Sequence, residues 1–80
     1  MDDQEIVRRI GELADEEHQL ERTHAGEPLS GDELQRMRDL EIALDQCWDL
    51  LRQRRARRDA GQDPDTATPR DEGVVEGYQQ

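Results

Sequence analysis

The chain predicts an all-α fold: an antiparallel two-helix hairpin, coiled-coil-like, that dimerises into a four-helix bundle and carries a disordered acidic C-terminal tail. Three observations predict it. Apolar residues repeat at alternating spacings of three and four in two stretches, Ile6, Ile10, Leu13 then Glu17 and Leu20, and Met37, Leu40, Leu44, Cys47, Leu51. That repeat puts each set on one stripe of an α-helix, the pattern of helices that pack lengthwise against a partner. A short break at residues 25–30 separates the stripes, and each stretch opens with its own helix-start signature. The expected organisation is a hairpin over residues 1–60, with helices at about 3–24 and 31–58 joined by a loop at 25–30, followed by a flexible acidic tail over 61–80.

The first helix starts at Asp2, an N-cap with Glu5 three residues on to complete a capping box, and Met1 and Ile6 stand at the two positions of a hydrophobic staple. Asp2, Asp3 and Glu5 complement the positive end of the helix dipole. Glu5 and Arg9 make a favourable i, i+4 pair. The helix fades near His24, with Gly26 available as a left-handed stop.

The second helix follows Pro28. Ser30 is its N-cap, Glu33 closes the box, Leu29 staples to Leu34, and Asp32 pairs with Arg36. It runs to about Arg58, where Arg57 and Arg58 suit the negative end of the dipole, and Gly61 and Pro64 end it. Residues 59–80 lack periodicity and are rich in Asp, Gly, Pro, Thr and Gln, which predicts disorder. Their one apolar patch, Val74, Val75 and Tyr78, is either incidental or a docking motif.

Eighty residues allow one small domain. With 31% hydrophobic residues, one Trp, one Tyr and no Phe, the supply of core is thin. All eleven basic residues are arginine, and the net charge is −10, which argues against the whole molecule coating nucleic acid or an anionic membrane. The charge is uneven. Residues 1–29 carry nine acids against three arginines, residues 30–58 six against seven, and residues 59–80 six against one. The single Cys47 excludes an intramolecular disulfide. No apolar run approaches the roughly 20 residues that span a bilayer, and the acidic N-terminus lacks the apolar core of a signal peptide. The expected location is the cytoplasm.

Folding the hairpin sets Glu17 opposite Glu41, Leu13 opposite Leu44, and Ile10 opposite Trp48. Two helices cannot bury both sides of their apolar stripes, so the reading implies a homo-oligomer or a helical protein partner.

The run RQRRARR at residues 52–58 is the strongest local anomaly. Arg52, Arg54, Arg55, Arg57 and Arg58 offer guanidinium forks that suit phosphate or carboxylate. They could contact nucleic acid or an acidic protein surface. Equally, they could neutralise Asp2, Asp3 and Glu5, which an antiparallel hairpin brings alongside. No aromatic residues are interleaved to stack on bases, which weakens the nucleic-acid reading.

Glu21 and His24 have the Glu-x-x-His spacing of metal sites in four-helix bundles. Glu17 lies one turn earlier on the same face and Glu41 across the hairpin, so the four could present oxygen and nitrogen donors to one metal. The pattern is common in acidic helices, and a solvated polar end of the seam is the simpler reading. Cys47 reads as a small buried hydrophobe. Trp48 reads as a packing anchor against Ile10 or, at a bundle edge, a hot spot for a partner. No nucleophile–base arrangement, phosphate loop or cofactor signature is present, and Thr23, Ser30, Thr66 and Thr68 have no catalytic setting. The expectation is a protein that is not an enzyme and needs no cofactor.

Residues 40–58, LEIALDQCWDLLRQRRARR, taken with the hairpin and the ending Val75-Glu76-Gly77-Tyr78, resemble an uncharacterised family of short actinobacterial proteins, domain-of-unknown-function family 2630. The most specific stretch is Asp45-Gln46-Cys47-Trp48-Asp49-Leu50-Leu51. The resemblance covers nearly the whole chain and implies a bacterial cytoplasmic protein. It carries over no activity and no site residues. The functional expectation is therefore a small non-enzymatic interaction module. It would self-associate or dock through its apolar seam, with Trp48, Leu44, Leu51, Arg52, Arg54, Arg55 and Arg58 as partner-binding or packing residues. The alternatives are a nucleic-acid-associated protein using the arginine run and a metal-binding bundle.

Overall fold

The computed structural model describes residues 1–23 and 26–70, and its described elements are all helical. Helix α1 spans Asp3–Thr23 and helix α2 spans Gly31–Asp59. A single 3₁₀ turn follows at Pro64–Thr66.

Both helix starts form as the capping residues dictate. The Glu5 amide donates to Asp2 Oδ1 at 2.8 Å while the Asp2 amide donates to Glu5 Oε1 at 3.2 Å. The Glu33 amide donates to Ser30 Oγ at 3.2 Å, and the Ser30 amide donates to Glu33 Oε1 at 3.0 Å. Each box satisfies two amides that a helix start otherwise leaves without partners. The staples add little, since Met1 and Leu34 remain largely exposed. Gly26 adopts φ +83° at the turn between the helices.

The end of α2 is a Schellman motif. The Gln62 amide donates to the Arg57 carbonyl at 2.7 Å and the Gly61 amide to the Arg58 carbonyl at 3.1 Å. This closure requires the left-handed φ of +76° that Gly61 supplies.

The two helices pack lengthwise along the expected seam. Ile6, Leu13, Leu40 and Leu51 are buried on it, while Ile10, Leu20, Met37, Leu44 and Cys47 are half-buried. Across the seam Arg36 pairs with Glu16 rather than with Asp32, and within α1 Arg9 pairs with Glu12 at 3.6 Å rather than with Glu5. Glu5 is already held in its capping box.

The expected flexible tail is corrected over residues 61–70. After Gly61 the chain turns back along α2 as a strap. Asp63 caps the 3₁₀ turn, its Oδ1 accepting from the Asp65 amide at 2.9 Å. Ala67 packs against a core cluster of Ile6, Leu50 and Leu51. Gln53 Nε2 donates to the Thr68 carbonyl at 2.9 Å, and Gln46 Nε2 reaches the Arg70 carbonyl at 3.5 Å. The strap holds because polar side chains of α2 supply the partners that an unpaired backbone needs. Val74, Val75 and Tyr78 lie outside the described residues.

Candidate interaction surface

The strap decides which flank of the hairpin is covered. Successive helical residues turn by 100°, so Leu50 and Trp48 stand on opposite flanks of α2, and Arg9 and Val7 on opposite flanks of α1. Arg9 and Leu13 of α1, Ala43, Gln46, Cys47 and Leu50 of α2, and Pro69 of the strap line one groove together. The other flank therefore carries Val7, Ile10 and Ala14 from α1 beside Leu44 and Trp48 from α2. On it Trp48 is 46% exposed and Val7 54% exposed.

Trp48, expected as a packing anchor against Ile10 or an edge hot spot, is 46% exposed. Ile10 and Cys47 pack on the Ile6–Leu50–Leu51 cluster. One residue beyond Cys47, Trp48 is turned about 100° away from that contact and onto the open flank.

Asp49 and Arg54 are the buried charges, 2% and 5% exposed. Neither burial was foreseen. Arg54 Nε donates to Asp3 Oδ1 at 2.5 Å, and its Nη1 donates to Asp65 Oδ1 at 2.9 Å and to the Pro64 carbonyl at 3.3 Å. Arg58 Nη2 donates to Asp3 Oδ2 at 3.0 Å. One arginine thereby ties the first turn of α1, the end of α2 and the strap together. These bonds hold the Asp3 carboxyl below the ordinary carboxylate range, and the bonds from Asp3 and Asp65 raise the Arg54 guanidinium above its usual value. Asp49 accepts from Gln53 Nε2 at 2.9 Å and pairs with Arg70 Nε at 3.4 Å. Among the described residues no buried side-chain polar atom lacks a partner.

Arg54 is therefore no surface contact. It sits inside the fold, and Arg58 beside it is engaged by the same carboxylate. Of the other expected partner-binding or packing residues Leu51 is core, Leu44 is half-buried, and Arg52 and Arg55 are exposed. Among the described residues, Arg52 and Arg55 make no ion pair. A signal for the strap was available in Asp63-Pro64, an N-cap aspartate followed by proline at the first helical position. Leu50, apolar beside Leu51 but off the stripe, was the second clue.

At the loop end, burial raises the Glu17 carboxyl above its ordinary value, and the charges of Glu21 and Glu41 push it the same way. Glu41 is thus near enough for its charge to act on Glu17. His24 lies outside the described residues, and among those described no group of three or more His, Cys, Asp or Glu could hold a metal. Burial likewise raises the Cys47 thiol, which keeps it protonated and unreactive at neutral pH.

The family described as "Protein of unknown function (DUF2630)" matches residues 2–80. The chain belongs to this family. Its relatives include uncharacterised proteins of Mycobacterium bovis and Mycobacterium tuberculosis, each 49% identical over 78 residues, covering 95% of this chain and 88% of the relative. No solved structure matches the chain. No helix among the described residues is long and apolar enough to cross a membrane.

Proposed function

We propose that this member of the DUF2630 family is a cytoplasmic, non-enzymatic protein–protein interaction module whose docking surface is the flank bearing Trp48. The observation that carries the reading is the asymmetry of the hairpin: the strap covers one flank, while the other leaves the chain's single tryptophan 46% exposed beside Val7, Ile10 and Leu44. A large aromatic residue held on a rigid helix loses little entropy on docking, and such residues dominate binding energy at interfaces. The ion pairs at the other end of the hairpin support the same reading, because buried Arg54 and its partners Asp3 and Asp65 are spent on holding the scaffold.

A photo-cross-linking residue placed at position 48 tests this inside the native host, with position 38, an exposed arginine on the outer side of α2, as the control. A docking surface gives adducts from position 48 and none from position 38. No adduct from position 48, or equal labelling from both positions, contradicts it.

A further inference from the structure

The strap closes its own flank only in part. From the end of α2 it runs back toward the loop, with its Pro64 carbonyl on Arg54, its Thr68 carbonyl on Gln53 and its Arg70 carbonyl on Gln46. Arg70 is also held by its side chain, whose Nε stands 3.4 Å from Asp49 Oδ2. Beside this anchor Pro69 forms one wall of a groove completed by Arg9 and Leu13 of α1 and Ala43, Cys47 and Leu50 of α2. Leu13 and Leu50 are buried, and Ala43 and Cys47 half-buried. The charged groups near it already have partners, Arg9 in Glu12 and Arg36 in Glu16, so the groove offers an occupant apolar contact. Its volume of about 260 Å³ falls below the roughly 300–1,000 Å³ of small-molecule pockets and suits the side chains of a peptide segment.

Ten residues follow Arg70 in the sequence, and the apolar ones among them are Val74, Val75 and Tyr78. An extended chain advances at most about 3.6 Å per residue, so Val74 can stand anywhere within about 14 Å of Arg70. Ala43 and Leu50 are about 10 Å apart along α2. The whole groove is therefore within reach of both valines, and Gly73 just before them lets the backbone bend into it. We propose that Val74 and Val75 of this same chain occupy the groove and complete the strap. The tether selects this occupant. A segment fastened four residues from its site is held there at an effective concentration in the millimolar range, which a foreign segment has to match from free solution. The contact also continues the interface that Ala67 begins on the Ile6–Leu50–Leu51 cluster. It stands apart from the docking reading, because the groove lies on the flank opposite Trp48.

Cys47, the only cysteine, lines the groove and reports on it. Its rate of alkylation by iodoacetamide is measured in dilute protein, in alkaline buffer where the thiol ionises. The full chain is compared with the full chain carrying Val74→Ser and Val75→Ser, and circular dichroism and thermal melting confirm that both keep the hairpin. The unsubstituted chain is expected to react about tenfold more slowly, the factor for a segment docked about nine-tenths of the time. Equal rates overturn the proposal and leave the groove open to another occupant. Protection that grows with protein concentration also overturns it, because it assigns the groove to the same segment of a second copy. Adducts from position 48 are expected to be the same in both chains, so a failure at the groove leaves the docking surface standing.

Discussion

Two carboxylates, both exposed enough to titrate freely, are moved in opposite directions by their neighbours, and each sets a pH dependence. Asp3 is held below the ordinary range chiefly by its hydrogen bond from Arg54, with Arg58 adding to it. Its contribution to stability is therefore complete above the ordinary carboxylate range and is lost as the pH falls through the lowered value. Asp3→Asn should lower the melting temperature at neutral and alkaline pH and leave it unchanged in acid, so the acid limb of the profile flattens. Glu17 is raised, first by burial and then by Glu21 and Glu41. A raised carboxyl gives stability that is present below its ordinary value and lost as the pH rises through the raised one. Glu17 and Glu21 stand four apart on one helix, a like-charge spacing that costs about 0.5 kcal/mol. Glu17→Gln in dilute solution at neutral pH should therefore raise the melting temperature by roughly 2–4 °C, and the gain should vanish in acid. The sequence showed that the arginines of residues 52–58 would meet the acidic start of α1. It did not show that Arg54 would be enclosed, because that depends on Pro64 and Asp65 arriving from the strap.

The helices and their ends were legible because each rests on local chemistry. Asp2 with Glu5 and Ser30 with Glu33 make their boxes within four residues, and Gly26 and Gly61 take the left-handed turns that other residues resist. The strap was not legible because its attachments carry no period. They are scattered bonds from Gln46, Gln53 and Arg54 to a polar segment whose Ala67 packs on the core cluster. Trp48 was left between a packing anchor and an edge residue for a related reason: a three–four repeat fixes which stripe faces the partner helix but says little about a residue at the stripe's edge. Two substitutions separate these contributions. Leu51→Ala empties a fully buried site in the cluster shared by both helices and should cost about 3 kcal/mol in chemical denaturation. Gly61→Ala meets open space, so its cost is purely that of the left-handed backbone, about 1 kcal/mol. Hydrogen exchange in that variant should quicken at Asp65 and Thr66 while the middle of α1 stays protected.

At the scale of the whole molecule, a narrow hairpin has two long flanks and one strap. The core is small, the strap closes the flank containing Leu50, and the opposite flank leaves Trp48 and Val7 exposed. A net charge of −10 opposes indiscriminate association. The most direct measurement is the fluorescence of Trp48, the only tryptophan in the chain, followed alongside mass from dilute to concentrated protein. Association through this flank predicts a solvent-exposed emission at low concentration that shifts to the blue with the same midpoint as the doubling of mass. A doubling of mass with no change in emission, or an emission already blue-shifted in the dilute monomer, would contradict it.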